Sequence, residues 1–352
     1  MHAIHRLSAA GLALLAVGLL APPACAEVTF AGKQITMIVG FPPGGGTDVV
    51  GRLLGNSLSK YLPGQPSFVI RNVPGAEGLT AMNYMAQQVK PDGLTVLMGS
   101  ASQADPMFFR KANAQYDPAK FLYVGGVGRG GTVVVVTHDA LSRLHDKSKP
   151  AVIMASPSGI PRNGMQISLW GIQYLGWNAR WVVGYPGTNE IMLALGRGEV
   201  DMTATGNIFE IGDQLRQGKL KIIAQSGDIQ NGKLVARPDF GDAPLLPDLM
   251  RGKITDPVGE KAFAYWRSII SIDKFVALPP GTPPEMLAAY RNAYSKLLED
   301  ADFVAQGKRL SADFTPLPSS DVERIIATLV ATPVEAVAFM KTMMRQQGLT
   351  VD

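Results

Sequence analysis

Residues 35–48, I-T-M-I-V-G-F-P-P-G-G-G-T-D, constrain the fold more than any other stretch of the chain. The run from Ile35 to Val39 is apolar and largely β-branched, the character of a buried strand. Residues 42–46 then force a loop whose bare backbone can approach a ligand. Thr47 or Asp48 can cap a helix, and Val50, Leu53, Leu54, Leu58 and Tyr61 follow at helical spacing. A strand that ends in a glycine loop at a helix N-terminus is an anion receptor, because unpaired N–H groups and the positive end of the helix dipole meet there. One such helix end contributes only about 0.3–1 kcal/mol, so tight binding requires several loops.

The same glycines do not make a dinucleotide site. The G-x-G-x-x-G pattern would need glycine at position 49, which is Val49. The next apolar run ends Ile70-Arg71-Asn72, with no acid to hold a ribose.

The N-terminus predicts export. Met1 to Arg6 carries one firm charge, and residues 9–20 form an uncharged apolar run too short to cross a bilayer alone. Ala24-Cys25-Ala26 has the small-residue form of a signal-peptide cleavage site, so residues 1–26 are expected to be removed after Ala26. Cys25 is the only cysteine, so the exported product is expected to have no disulfide, thiolate metal site or cysteine nucleophile. What remains is long enough for two domains held by apolar cores. The net charge of +4 forms no basic stripe interleaved with aromatics, which excludes nucleic acid as a partner. His138 and His145 lack metal-ligand spacing.

Strand and helix patterns then alternate. Residues 67–70 and 95–98 read as strands, with turns at Pro74-Gly75, Gly78 and Pro91-Asp92-Gly93. The alternation predicts a doubly wound parallel sheet with ligands beyond the carboxyl ends of its strands, where residues 40–47 and 99–103 would lie. The glycine-rich run 125–131 reads as a composition break and the crossing into a second αβ unit. That unit has strands near 132–137, 151–155, 180–183, 200–203 and 220–225. Residues 226–259, polar and rich in Pro, Gly and Asp, read as a long return connection. S/T-x-x-E capping boxes are expected at Thr282/Glu285, Ser320/Glu323 and Thr332/Glu335, and a similar pair at Asn207/Glu210.

Six segments together resemble the solute-binding proteins of tripartite tricarboxylate transporters, the Bug or TctC family. They are I-V-G-F-P-P-G-G-G-T-D at 38–48, V-I-R-N-V-P-G-A-E-G at 69–78 and P-D-G-L-T-V-L-M-G-S at 91–100. Y-P-G-T at 185–188, L-G-R-G-E-V-D at 195–201 and V-A-L-P-P-G-T-P at 276–283 complete the set. The resemblance implies an α/β fold like the type II periplasmic binding proteins: two doubly wound domains, a hinge, and a ligand cleft between them. Residues 27–126 would form the first part of domain one and 127–226 domain two. Residues 227–352 would be the return segment and the C-terminal helices that complete domain one. It also implies a periplasmic monomer without cofactor. Such a monomer captures a small organic carboxylate, di- or aromatic, and hands it to membrane permease subunits. A sensory binding protein and an exported enzyme on the same scaffold are the alternatives.

Carried onto this chain, the ligand-binding candidates are Pro43, Gly44, Gly45, Gly46, Thr47 and Asp48, then Ser100 and Ala101. In the second unit they are Ser158, Gly159, Arg162, Asn163, Tyr185, Thr188 and Asn207. The Gly44–Gly46 amides would face one carboxylate, while Asp48 also suits a structural role at the helix start. Gly159-Ile160-Pro161-Arg162-Asn163 departs from the small, Gly- and Ser-rich loop usual in the family. Arg162 could form a bidentate pair with a second carboxylate or face solvent, and Ile160 and Pro161 would add apolar bulk to the cleft. Arg129 is a weaker candidate. Trp170, Trp177 and Trp181 are expected to pack in the protein more than to wall the ligand.

Overall fold

The computed structural model describes residues 28–230, 233–312 and 314–351. The expected signal peptide and its cleavage point lie outside the described residues. Two sheets organise the rest. The first carries β1 (Gln34–Val39), β2 (Ser67–Asn72), β3 (Thr95–Ser100), β4 (Leu122–Arg129), β12 (Lys274–Leu278) and β13 (Phe314–Pro318), in the spatial order β13-β4-β12-β3-β1-β2. The second carries β5 (Val133–Thr137), β6 (Val152–Ser156), β7 (Ala179–Val183), β8 (Met202–Thr205) and β9 (Leu220–Gln225), in the order β7-β6-β8-β5-β9. A small hairpin, β10 (Asp228–Gln230) with β11 (Lys233–Val235), follows.

Both sheets are mixed, where the alternation alone predicts parallel ones. β1 pairs parallel with β2 and β3, and β6 pairs parallel with β7 and β8. The strands next to the crossings run the other way: β12 is antiparallel to β3 and β4, and β5 to β8 and β9. A chain that leaves one sheet and enters the next lobe arrives from the opposite end, so its strand reverses.

The first lobe forms as its opening sequence requires. Ile35, Met37, Ile38 and Val39 are fully buried, as are Val50, Leu54 and Leu58 on the inner face of the helix Gly46–Tyr61. Each such side chain contributes roughly 1.5–3 kcal/mol on burial. The glycine-rich run 125–131 is not a break over most of its length, because β4 continues to Arg129. A Cβ on Gly125 would lie 2.3 Å from the Tyr294 ring, so glycine there lets the helix Pro284–Glu299 press its tyrosine onto the strand. The crossing is therefore at 130–132, a few residues beyond the expected boundary.

At that crossing two chain segments lie side by side. The Thr132 N–H donates to Ser226 Oγ at 2.8 Å and the Ser226 N–H returns to the Thr132 carbonyl at 2.8 Å. Gly131 has φ +80°, and a Cβ there would meet the Gly227 carbonyl oxygen at 2.1 Å. Only glycine fits this approach.

Two helices fill the saddle between the sheets. Pro257–Ile269, inside and beyond the stretch expected to be irregular, starts with Asp256 accepting from the Val258 and Gly259 N–H groups and Pro257 at the first helical position. Its Phe263 and Trp266 pack on Trp170 of the second lobe. Val334–Gln346 packs beside it, and the chain end then crosses to the second lobe. There Gln347 Nε2 donates to the Leu169 carbonyl at 2.9 Å, and Gln347 Oε1 accepts from Trp181 Nε1 at 3.1 Å. Trp170 and Trp177 are buried packing residues. One apolar cluster runs from Ile38 and Leu97 through Trp266 and Met340 to Val135 and Met202, joining both lobes.

The helices expected after residue 280 are present but start differently. Pro283 and Pro333 occupy the N-cap positions in place of Thr282 and Thr332. The displaced Thr282 and Thr332 hydroxyls donate to the Pro279 and Thr328 carbonyls. Ser320 lies inside the helix Ser319–Val330.

Candidate functional site

Strand-end loops of both sheets meet around one cavity of about 570 Å³. From the first lobe it receives residues 41–47, 100–102 and 269–274, less Ser271; from the second, 162–165, 186–190, 204–206 and Glu210. The crossing residues Gly131 and Thr132 line it too. A second depression of about 970 Å³, lined by Leu141, Trp177 and Phe240 among others, receives none of the candidate residues.

On the first lobe the glycine loop turns because Gly44 takes φ +78°, and its N–H then donates to Asp48 Oδ2 at 2.9 Å. Gly45 is the N-cap, with its N–H on the Pro42 carbonyl at 3.4 Å. The first-turn amides of Gly46 and Thr47 are left without helical partners. The three glycine amides therefore do not converge on one external carboxylate: Gly44 serves Asp48, and the receptive pair is Gly46 with Thr47.

Asp48 is 2% exposed and does not line the cavity. Besides Gly44 it accepts from Arg52 Nε at 2.9 Å and from Asn72 Nδ2 at 2.9 Å. Burial pushes its carboxyl up, but the bonds from Arg52, Gly44 and Asn72 outweigh that and hold it below the ordinary carboxylate value. Its four lone-pair directions are used inside the wall, so it fixes the loop rather than meeting a ligand.

Ser100 caps the short turn Ala101–Ala104, and its N–H donates to Gln103 Oε1 at 2.7 Å. Ser100 and Ala101 line the cavity, with the Ala101 N–H spent on the Asp273 carbonyl at 3.0 Å. Lys274 stands opposite Ser100 in the β3–β12 ladder, 7% exposed, and pairs with Asp273 Oδ1 at 2.5 Å. Lys274 was not a sequence candidate. Its position depends on the antiparallel insertion of β12, which no local pattern announces.

On the second lobe Arg162, Asn163 and Thr188 line the cavity. Arg162 neither faces solvent freely nor waits unpaired. Its Nε pairs with Glu77 Oε2 of the first lobe at 3.2 Å, and its Nη1 reaches Thr188 Oγ1 at 3.4 Å. Glu77 and its neighbour Ala76 both have positive φ, 56° and 48°. That is a sparsely populated conformation for non-glycine residues, held here by the turn that delivers Glu77 to the arginine.

Four second-lobe candidates lie off the cavity. Ser158 donates its hydroxyl to the Ile160 carbonyl at 2.7 Å within its own loop. Gly159 faces the chain end, where a Cβ would meet the Thr350 carbonyl oxygen at 2.1 Å. Tyr185 packs against the apolar core. Asn207 caps the helix Ile208–Arg216 and donates from Nδ2 to the Leu310 carbonyl at 3.1 Å, a second lip-to-lip contact. Glu210 does not close a capping box with Asn207; it accepts from the Thr205 hydroxyl at 2.6 Å. Ile160 is buried and adds no bulk to the cavity. The Arg129 side chain lies outside the described residues.

Comparison with known proteins supports the same architecture. No family model matches the chain. A UPF0065 protein encoded in the gbd 5' region of Cupriavidus necator is 26% identical over 315 residues, 85% of this chain and 86% of that protein. Protein BugT of Bordetella pertussis is 37% identical over 102 residues, 29% of this chain and 30% of BugT. Among solved structures, the periplasmic binding protein BugD superposes with TM-score 0.63 at 21% identity, covering 90% of this chain and 98% of BugD. A Rhodopseudomonas palustris protein solved with adipate gives 0.64 at 21% identity, covering 90% and 98%.

Proposed function

We propose that this chain is a periplasmic binding protein of the Bug/TctC family and that it captures a small carboxylate-bearing solute in its interdomain cleft. It then delivers the solute to a membrane transporter of the tripartite tricarboxylate type. The observation that carries this is the convergence of strand-end loops from both lobes on one cavity beside the helix N-terminus at Gly46 and Thr47. Those amides, the Thr47 and Ser100 hydroxyls and the adjoining Lys274 ammonium form the side that receives an anion. Arg162, Asn163 and Thr188 close over it from the other lobe. Structural neighbours solved with malate and with adipate support a carboxylate as the solute class.

The protein acts as a monomeric binding protein rather than an enzyme, in the periplasm, after cleavage behind Ala26. A micromolar dissociation constant requires about −8 kcal/mol, within reach of one helix end, several hydrogen bonds and burial of the solute's carbon skeleton. A thermal-shift panel of mono-, di- and tricarboxylates, aromatic acids and neutral analogues tests the proposal, since a ligand of the native state raises stability by mass action. Stabilisation by carboxylates is expected. Stabilisation by neutral compounds alone, or by none of the panel, overturns it.

A further inference from the structure

The two walls of the cavity differ in what they offer a ligand. The first-lobe wall presents donors in the amides of Gly46 and Thr47 and the hydroxyls of Thr47 and Ser100, and its one acid, Asp273, is answered there by Lys274. The second-lobe wall presents acceptors. Two acidic side chains, Glu190 and Glu210, line it without a cationic partner among the described residues. The cation nearest in the wall, Arg162, is committed to Glu77. Glu190 also fills the place where the helix Thr188–Arg197 would receive a second carboxylate. Its Oε2 lies 3.1 Å from where a Cβ on the N-cap residue Gly187 would stand.

A second observation is independent of these acids. Asn163, nine-tenths buried at the second-lobe wall of the cavity, keeps its side-chain Oδ1 with no hydrogen-bond partner. A buried oxygen without a donor is costly unless something supplies one. One orphan amide oxygen and two acids without a cationic partner among the described residues, all on the second-lobe wall, describe a surface suited to N–H donors and positive charge.

We infer that the solute is an amino-carboxylate whose two charged groups lie at opposite ends, the carboxylate on the first lobe and a cationic nitrogen against Glu190 and Glu210. A dicarboxylate would set its second anion against those acids unless Arg162 abandoned Glu77. The inference rests on the carboxylate-binding function proposed above and adds the identity of the other end.

Titration calorimetry with probes matched in chain length tests it: ω-amino acids of four to eight carbons against the corresponding dicarboxylates and simple monocarboxylates, for example 6-aminohexanoate, adipate and hexanoate. At the best length the amino acid is expected to bind at least tenfold more tightly than the dicarboxylate. Glu190→Gln should remove most of that preference by lowering the affinity for 6-aminohexanoate relative to hexanoate. Glu190 is exposed, so this variant folds; Glu210→Gln gives the second reading of the same effect. Tighter binding of the dicarboxylate, with Glu190→Gln neutral and Arg162→Ala damaging, overturns the inference and leaves carboxylate binding standing. Failure of every carboxylate in the panel overturns both.

Discussion

Two helices enter the cleft by the same local design and end in opposite chemistry. Gly46–Tyr61 has glycine at its N-cap and an acid, Asp48, at the third helical position. Thr188–Arg197 has Gly187 and Glu190 in the same places. Asp48 is locked inside the wall by Gly44, Arg52 and Asn72, whereas Glu190 is exposed and has no such neighbours. An acid in a first helical turn is thus not defined by the helix. Where surrounding donors absorb it, the helix end stays open to an outside anion. Where nothing absorbs it, the acid itself becomes the surface a ligand meets.

The largest break in this comparison comes from removing the locked acid. Asp48→Ala takes the acceptor from the Gly44 amide and from Arg52 and one of two acceptors from Asn72, and is expected to cost about 2–4 kcal/mol in urea unfolding. The matched Glu190→Ala should stay within about 0.5 kcal/mol. Equal losses would show that the two acids play the same part.

Acid–base behaviour sharpens the contrast with a third carboxyl. Asp48 sits below its ordinary value when folded, so its stabilisation is complete at neutral pH and is lost as pH falls through that lowered value. Asp105 does the opposite. Complete burial pushes it up to about 6, against hydrogen bonds from the Tyr265 hydroxyl and the Met107 N–H. The folded state keeps a proton that the unfolded chain releases near 3.8, so stability should fall as pH rises from about 4 through 6. Asp105 Oδ2 is buried without a hydrogen-bond partner, so a charge there is not offset on that side. Asp105→Asn keeps the site uncharged at every pH. It should flatten this pH window and raise neutral-pH stability by roughly 2–3 kcal/mol, read from unfolding curves between pH 4 and 8. A slope unchanged by the substitution would remove Asp105 as its source.

A smaller effect is expected at the cleft mouth. Glu77→Gln removes the ion pair to Arg162, a half-buried contact worth about 0.5–1 kcal/mol, and frees the arginine. Adipate affinity should rise relative to 6-aminohexanoate, because Arg162 can then face a second carboxylate. No change in that ratio would mean that the arginine is held by Thr188 and the loop rather than by Glu77.

The first lobe was legible because its site is contiguous: strand, glycine loop and helix follow within one short stretch, and periodicity marks each. Ser100 was legible as the end of an apolar run, and Thr188 through the resemblance carried by Y-P-G-T at 185–188. β13 was not, since Pro316 and Pro318 argue against a strand and are tolerated only because it is the sheet edge. The glycines of β4 read as a linker because what they accommodate, the ring of Tyr294, comes from far along the chain. Ser158 and Gly159 had the composition of a binding loop, but the chain end and the loop itself claim them. Glu210 was visible only as the partner in the Asn207/Glu210 pair, and Glu190 was not picked out; that no cation among the described residues answers them depends on the tertiary arrangement.

The chain end that claims Gly159 also bears on how the cleft can open. A body carried on two adjacent supports swings about the line through them, and here those supports are the paired segments at Thr132 and Ser226. Gln347 and Thr350 add a third support from the far side, clasping Leu169, Trp181 and Gly159. Parting the lobes must therefore slide or break these tail contacts as well as the Glu77–Arg162 pair and the Asn207–Leu310 bond at the lips.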